Sequence, residues 1–251
     1  MGKAEWGVDP EFFGPRHAHR EDRIVRKIVA TTEPGLHLEC AAGVGSLSAT
    51  LARIGHTVVA ADSSLRSLAV RCDDPAKTNR VLQVVADMTR LPFADHVFTS
   101  ATSAETLEHI DADQQAVQEM ARILVSGGQF VGTVPAGSSQ WSDWDEWAGH
   151  LRRYSKSEVE ALLDEAGFEH EVTMWGWPMV RLYDGIFLKW VNRRRRRQPG
   201  VIADDPLLKG ISSLRNRTWL VTVVRSIFAV DRAFDGSPWG VGILFAARKT
   251  G

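Results

Sequence analysis

The chain alternates short apolar runs with segments of helical periodicity over its first 135 residues. The runs LHLEC, TVVAAD and VLQVVAD have the length and apolar content of buried strands, and the last two lead to Asp62 and Asp87. Two further runs, around 100–105 and after the glycine pair of LVSGGQF, predict a fourth and a fifth strand. Strands that alternate with helices in this way favour an α/β fold with a mostly parallel sheet.

The flanking elements carry their own signals. Apolar residues in DRIVRKIV form a helical stripe with a basic outer face, which predicts a helix ahead of the sheet. Ser155 and Glu158 have the spacing of a capping box, and the helix that begins at Lys156 is expected to end at Ala166, before Gly167. The runs EVTMW and GVGILFAARK predict a sixth and a last strand.

A long segment separates the sixth strand from the last. It contains VRLYDGIFLKWVN and WLVTVVRSIFAVDRAF, which both place apolar residues at helical spacing, so residues 179–235 are predicted to form a helical insertion. Residues 1–178 and 236–251 are expected to form the core domain. The insertion is interpreted as a lid, a homodimer face or a weak membrane contact that uses the run Arg193 to Arg197, for which a solvated loop is the alternative.

Composition narrows the function classes. The chain has 251 residues, 44% of them apolar, and a formal net charge of -1. The length suffices for one sizeable core, and the balanced charge disfavours a nucleic acid partner. Cys40 and Cys72 provide neither a disulfide framework nor metal-ligand spacing, and no metal is predicted. Because no secretory signal or membrane-spanning run is found, a cytoplasmic location is expected.

The turn after the first strand gives the first functional signal. Gly43 and Gly45 lack Cβ, so the backbone can turn sharply there and approach a ligand closely. Asp62 ends the second strand, where an acidic side chain can accept hydrogen bonds from a ribose. This spacing predicts a cofactor that contains adenosine.

The ordered series of strands, glycine turn and acids resembles the class I S-adenosylmethionine-dependent methyltransferases. The resemblance covers roughly residues 16–178 and returns at the final strand. It implies a Rossmann-like, seven-stranded, mostly parallel sheet that is flanked by helices. It also implies S-adenosylmethionine as the cofactor, S-adenosylhomocysteine as its product and a small-molecule acceptor.

The resemblance also implies which residues contact the cofactor. Glu39 matches the acid near the amino acid part, Asp62 the acid that holds the ribose, and Asp87 the acid that receives the adenine amino group. Met88 would contact the adenine ring, and the loop 41–45 would pass under the methionine and the sugar. The full set of implied contacts is Arg16, Glu39, Ala41, Gly43, Gly45, Asp62, Ser63, Asp87, Met88 and Ser103.

Three positions depart from the family pattern or from a simple strand pattern. Ala41 stands where a glycine is usual, and its methyl group crowds the loop only if the residue needs a positive φ. Thr99 replaces a usual acid, and His37 is interpreted as a core histidine whose hydrogen bonds a neighbouring residue satisfies.

On the leading helix, the candidates to contact the cofactor carboxylate are Arg16, His17, His19 and Arg20. A solvated helix face is the alternative for these four residues.

The segment SSQWSDWDEWAGHLRRYS combines three tryptophans with titratable groups, which suits the wall of a pocket. It resembles a segment that borders the acceptor site of small-molecule methyltransferases. If the reaction needs a base, His150 is the first candidate because imidazole titrates near neutral pH, with Tyr154 and Asp145 next and His109 as a weaker one. The alternative is that the arginines of this segment pair with acids and fix the loop.

The sequence therefore predicts methyl transfer from S-adenosylmethionine to a small, apolar metabolite. Oxygen, nitrogen and carbon acceptors all remain open, because the sulfonium already activates the methyl group and the protein must chiefly align the reactants. One alternative is a cofactor-binding scaffold that catalyses a cyclisation or rearrangement. Another is a peripheral membrane or partner-binding module with a vestigial site.

Overall fold

The computed structural model describes residues 14–69, 80–186 and 218–251. Its strands belong to one seven-stranded sheet. The strands are β1 (Leu36–Cys40), β2 (Thr57–Asp62), β3 (Val81–Val85), β4 (Phe98–Ala104), β5 (Leu124–Pro135), β6 (Phe168–Trp175) and β7 (Gly242–Lys249).

The sheet has the order β3-β2-β1-β4-β5-β7-β6. The pairs from β3 to β5 are parallel, and β7 runs antiparallel to both of its neighbours, β5 and β6. This arrangement confirms the predicted Rossmann-like sheet. The order reverses between β1 and β4, and the crevice outside the carboxyl ends of strands at such a switch point is where ligands bind in open α/β sheets.

One predicted strand boundary was wrong. The glycine pair was expected to precede the fifth strand, but β5 begins at Leu124 and includes both Gly127 and Gly128. The pairing of β4 with β5 is irregular here, since Phe98 lies opposite Leu124 and Ser100 lies opposite Gln129. The positive φ of Gly127, 77°, therefore belongs to a bulge inside the strand.

Helices cover both faces of the sheet. They are α1 (Pro15–Thr31), α2 (Ser46–Arg53), α3 (Leu65–Ala69), α4 (Asp113–Ile123), α5 (Asp143–Ala148), α6 (Lys156–Glu165), α7 (residues 179–186) and α8 (Thr218–Phe228). The capping box predicted at Ser155 and Glu158 is present at the start of α6. A second capping box, formed by Ser142 and Asp145, begins α5.

Adjacent strand residues point into two different cores. Val59 and Phe130 pack in a cluster with residues of α4 and α6, whereas Val58 and Val131 pack in a cluster with residues of α1 and α2. Because successive side chains of a strand point to opposite faces, both faces of the sheet are buried.

His37 of β1 is a core histidine, as the sequence predicts. Its Nδ1 lies 2.8 Å from Oγ of Ser100, and its Nε2 lies 2.9 Å from Oγ1 of Thr102. Burial, and secondarily the nearby His56, lower the pKa of His37 to about 3. The ring is therefore neutral and serves the packing of β1 against β4.

The described ends of the predicted insertion pack on the core. The carboxylate of Asp231 accepts hydrogen bonds from the backbone amides of Met179 and Val180, at 2.7 and 2.9 Å, and so caps the first turn of α7. Arg23 of α1 pairs with Asp235 at 2.7 Å. The run 193–197, which was interpreted as a weak membrane contact or a solvated loop, lies outside the described residues. In the described part of the chain, no helix has the length and apolar character needed to cross a membrane.

Candidate functional site

A cavity of about 1110 Å³ opens at the carboxyl ends of β1, β2 and β4. We call one part of its wall the sheet side, which is lined by Glu39, Gly43, Asp62, Asp87 and Met88. We call the opposite part the roof side, which is lined by Trp144, His150, Arg153, Arg181 and Asp184. The residues of the sheet side lie close together because the carboxyl ends of parallel strands meet at one edge of the sheet.

The turn between β1 and α2 is built from left-handed residues. Ala41, Gly43 and Gly45 have φ values of 55°, 53° and 81°. Ala41 therefore meets the condition under which its methyl group is costly, about 1–2 kcal/mol for an L-residue in this region. The open turn brings the backbone of Ala41 and Gly43 to the cavity wall, whereas Gly45 lies behind it as the N-cap of α2.

Asp62 is held in place by the turn that it faces. The amide of Gly43 donates to Oδ2 of Asp62 at 2.9 Å, and the amide of Ser64 donates to Oδ1 at 2.8 Å. Each carboxylate oxygen can accept a further hydrogen bond. Asp62 and Ser63 both line the cavity, so the pair can receive two neighbouring hydroxyl groups of a ligand.

Asp87 and Met88 extend the sheet side beyond β3. Oδ1 of Asp87 accepts hydrogen bonds from the amide and the hydroxyl of Thr89, both at 2.8 Å. Met88 is buried and lines the cavity, and the hydroxyl of Ser103 lies 3.8 Å from its sulfur. Ser103 itself is buried outside the cavity, so the structure does not support a direct contact between its side chain and a ligand.

Glu39 places an ionisable group at the floor of the cavity. Its carboxyl group is buried and accepts a hydrogen bond from the hydroxyl of Ser48. Burial raises the pKa of Glu39 to about 8, with a smaller contribution from the nearby acids Glu21 and Asp62. A cationic group of a ligand would favour the charged form of this carboxyl group.

Two arginines of α1 face the cavity and are partly neutralised by acids. Arg16 donates from Nε to Oδ2 of Asp184 at 3.0 Å, and its Nη1 lies 3.9 Å from Oε2 of Glu105. Arg20 also approaches Glu105, at 3.6 Å. Glu105 lines the cavity directly after β4. The resemblance placed the fourth strand up to Glu105 beside the methionine end of the cofactor, but Glu105 was not among the implied contacts.

The two histidines of α1 have different positions. His17 lines the cavity and contacts Glu21 at 2.9 Å. His19 is fully buried, and its ring packs 6.0 Å from Trp175 and 5.6 Å from Phe228. The expectation that His19 contacts a cofactor carboxylate was therefore wrong, because its side chain points into the core beneath α8.

On the roof side, Asp145 and His150 are joined by a hydrogen bond. His150 lines the cavity, and its Nδ1 lies 2.8 Å from Oδ1 of Asp145. Arg153 donates to both oxygens of Asp145, at 2.7 and 3.0 Å. Burial alone would raise the pKa of Asp145, but the hydrogen bonds from His150 and Arg153 outweigh it and hold the pKa below its ordinary value.

Asp145 and Tyr154 do not line the cavity, which corrects their prediction as catalytic groups. Asp145 is fully buried behind His150 and fixes the orientation of that ring. The hydroxyl of Tyr154 lies 2.7 Å from Oδ2 of Asp113 and 3.0 Å from the Leu107 carbonyl. Burial and the Asp113 carboxylate raise the pKa of Tyr154, so this residue is a structural link and not a base.

The tryptophan segment forms part of the predicted pocket wall. Trp144 lines the cavity, with the ring of Trp147 5.0 Å away, whereas Trp141 is exposed. Arg181, Tyr183 and Asp184 of α7 also line the cavity, and the sequence analysis did not single out these three residues for the site. The insertion therefore contributes to the cavity through the described residues of α7.

The fold and the cavity define an α/β protein with a nucleotide-type site at its switch point. A model of the family described as "Methyltransferase domain" matches residues 38–132. That match spans the glycine turn, both strand-end acids, Glu105 and β5 up to its centre.

Relatives of established name agree with this match. The demethylmenaquinone methyltransferase of Mycolicibacterium paratuberculosis is 39% identical over 115 residues, which are 44% of this chain and 48% of that protein. The enzyme of the same name from Mycobacterium tuberculosis is 28% identical over 161 residues, 57% of this chain and 67% of that protein. The chain thus spans about half the length of the first of these relatives.

Solved structures show the same fold at low sequence identity. The [4+2]-cyclase SpnF has a TM-score of 0.65 and 21% identity, with 94% of this chain and 82% of that chain covered. Phosphoethanolamine N-methyltransferase 2 of Haemonchus contortus, in complex with S-adenosylmethionine, has a TM-score of 0.65 and 19% identity, with 98% and 56% covered. The matched segment, these relatives and the order of the sheet together support a class I S-adenosylmethionine-dependent methyltransferase. The cofactor of this class is S-adenosylmethionine, and the acids Glu39, Asp62 and Asp87 all line the cavity.

Proposed function

We propose that the protein transfers a methyl group from S-adenosylmethionine to a small, apolar acceptor bound in the same cavity. The observation that carries this proposal is the convergence of Glu39, Asp62 and Asp87 on one cavity wall. Small-molecule sites commonly have volumes of about 300–1,000 Å³. The cavity volume of about 1110 Å³ exceeds this range, which supports an acceptor beside the cofactor.

The sheet side would hold the cofactor. Asp62 would accept hydrogen bonds from the ribose hydroxyls, and Asp87 from the adenine amino group, while Met88 would pack on the ring. Glu39 would pair with the cationic amino group at the methionine end. When bound, the cofactor supplies a methyl group that its positive sulfur has already activated.

The roof side would hold the acceptor. Trp144 and Tyr183 offer aromatic faces, and His150 offers a polar group that its hydrogen bond to Asp145 orients. The task of these residues is to bring the acceptor atom in line with the methyl group and to exclude water. Oxygen, nitrogen and carbon acceptors all remain candidates. Demethylmenaquinone belongs in an acceptor screen because the relatives above are named for it.

Isothermal titration tests the cofactor assignment. The wild-type protein is expected to bind both S-adenosylmethionine and S-adenosylhomocysteine. Asp62→Ala should weaken both by about 1–3 kcal/mol, because the ribose hydroxyls lose their hydrogen-bond partner. Thr99→Ala is the matched control, since Thr99 lies in the same sheet but outside the cavity wall, and its hydroxyl bonds only to the Leu36 carbonyl among the contacts described. Equal affinities in wild type and Asp62→Ala would contradict the ribose assignment.

The mass of the product separates methyl transfer from the cyclisation alternative. A gain of one methylene unit by the acceptor, with release of S-adenosylhomocysteine, supports transfer. An isomeric product with unchanged mass supports cyclisation or rearrangement. The homodimer stays a prediction, which sedimentation of the protein alone would test. The membrane contact also stays a prediction, which sedimentation with liposomes of anionic lipid would test. The cytoplasmic location stays a prediction as well.

A further inference from the structure

Glu108 is a buried carboxyl group that lacks the partners such a group normally has. The residue is fully buried, and neither of its side-chain oxygens has a hydrogen-bond partner among the described residues. Its closest basic neighbour is Nε2 of His150, which lies 3.9 Å from Oε1. Buried polar groups are almost always hydrogen-bonded, so a water molecule or a ligand is expected beside this carboxyl group.

Two histidines lie beside this carboxyl group. The rings of His109 and His150 meet edge to face, with their centroids 4.8 Å apart. One ligand atom from each of Glu108, His109 and His150 can be chosen so that all three lie within 4.8 Å of one another. Bond lengths of about 2.0–2.2 Å place the ligand atoms of a first-row metal ion about 3–4 Å apart, which small side-chain rotations would reach from here.

Each histidine ring makes a hydrogen bond to the protein. Nδ1 of His150 is held by the Asp145 carboxylate, and the ring of His109 bonds to the Gly149 backbone. Histidines that ligate metals almost always use one ring nitrogen in this way, which fixes the tautomer and leaves the other nitrogen for the ion. The pair Asp145 and His150 therefore has the arrangement of a carboxylate–histidine–metal unit.

A further carboxyl group lies near the cluster. Glu105 lines the cavity nearby, and its Oε1 is buried without a hydrogen-bond partner among the described residues. A ligand set of two imidazoles and one carboxylate suits first-row divalent ions and leaves coordination positions open. Because His109 and His150 both line the cavity, the open positions would face the acceptor.

We propose that Glu108, His109 and His150 bind one divalent first-row metal ion, of the type of Mn²⁺, Co²⁺ or Zn²⁺, at the cavity wall. The sequence analysis predicted no metal, and this inference departs from that expectation. The metal-binding site follows from the positions of these three side chains and does not depend on the proposed function. The role of the ion rests on the proposed function: it takes an oxygen atom of the acceptor as a ligand.

The chemistry that follows is methyl transfer to oxygen. A hydroxyl group bound to the ion loses its proton to cavity water more readily, because the cation stabilises the oxyanion. The oxyanion then attacks the methyl carbon, a carbon–oxygen bond forms, and the electron pair of the breaking carbon–sulfur bond returns to the sulfur. The products are the methyl ether and neutral S-adenosylhomocysteine. This step selects acceptors with a hydroxyl group that can reach the ion.

Metal binding is tested on the full chain after dialysis against a chelator. Titration calorimetry with MnCl₂, CoCl₂ and ZnCl₂ is expected to give one site per chain for at least one ion. Co²⁺ should add visible absorption bands of a protein-bound ion. Glu108→Gln and His109→Gln should each weaken binding at least 10-fold, the loss expected when a ligand is removed from such a site. His170→Gln, whose ring pairs with Asp164 outside the cavity, is the matched control and should bind as wild type does.

The outcomes separate this inference from the proposed function. No stoichiometric binding of any of the three ions, or unchanged binding in both Glu108→Gln and His109→Gln, overturns the metal site. Circular dichroism and the affinity for S-adenosylhomocysteine show whether each variant is folded. If the protein binds a metal ion but not S-adenosylhomocysteine, the proposed metal site is supported and the proposed function is contradicted. Unchanged methyl transfer to an oxygen acceptor after chelation overturns the role of the ion.

Discussion

The two sides of the cavity are built by different means. On the sheet side, Asp62 and Asp87 bond to backbone amides within their own turns or the adjoining glycine turn. On the roof side, Asp145 and Arg153 bond to each other through side chains that come from a helix end and a loop. The first side is fixed by main-chain geometry and the second by a small network of buried charges.

The two sides should therefore respond differently to substitution. Substitution of Asp62 or Asp87 removes a predicted ligand contact from a turn that main-chain geometry fixes, so cofactor affinity should respond more strongly than stability. A substitution in the roof-side network removes the support of its neighbours. Stability and turnover should respond there, while cofactor affinity stays constant. Four substitutions test this contrast.

The largest effect is expected from Asp145→Ala. This change leaves Arg153 buried without its partner and removes the capping box of α5. Breaking a buried ion pair on one side costs about 3–5 kcal/mol. Urea unfolding measures this loss. Glu146→Ala on the same helix removes an exposed acid and should change the free energy of unfolding by less than about 0.5 kcal/mol. Equal stabilities for both variants would show that the network does not hold the roof side.

His150→Ala should lower turnover and leave cofactor affinity unchanged. His150 lines the roof side, and groups that handle protons in a reaction contribute about 10²-fold or more to the rate. Turnover would be measured with the acceptor found by product mass, and affinity by titration with S-adenosylhomocysteine. The pattern is the reverse of the one expected for Asp62→Ala. Normal turnover of His150→Ala at every pH would exclude His150 from the reaction.

Glu39→Gln should remove a pH dependence of stability. The pKa of Glu39 is about 8 because of burial, against an ordinary value of 4.5. Between these values the folded chain keeps a proton that the unfolded chain loses, so the wild-type free energy of unfolding falls as pH rises, by about 1.4 kcal/mol per unit. Urea unfolding at pH 6 and pH 7 measures the slope. Identical slopes in wild type and variant would place the pKa of Glu39 outside this window.

The smallest effect is expected from Ala41→Gly. Relief of the left-handed conformation at Ala41 gains about 1–2 kcal/mol. The added freedom of the unfolded chain offsets about 0.4–1 kcal/mol of that gain. A net stabilisation of about 0.5–1 kcal/mol should appear in urea unfolding. Ala42→Gly, at a neighbouring residue without a positive φ, should instead destabilise the protein. Destabilisation by both changes would contradict the strain argument.

The same contrast explains how far the sequence could predict the site. β1, the glycine turn and Asp62 are encoded by neighbouring residues, and their positions follow from local patterns. Tyr154 was predicted as a base because it is titratable and close to His150 in sequence. Its partner Asp113 lies 41 residues earlier, and only the folded chain shows the pair. Glu108 likewise looks like an ordinary helical acid until its burial is known.

Asp231 gives the insertion a property that matters for the range of acceptors. By bonding to the amides of Met179 and Val180, it brings the end of the insertion back to its beginning. The two described ends of the insertion are therefore joined by this contact, which does not depend on the chain between α7 and α8. We therefore expect changes to the chain between α7 and α8 to leave this contact and the sheet in place, so that a change of acceptor range there need not disturb cofactor binding.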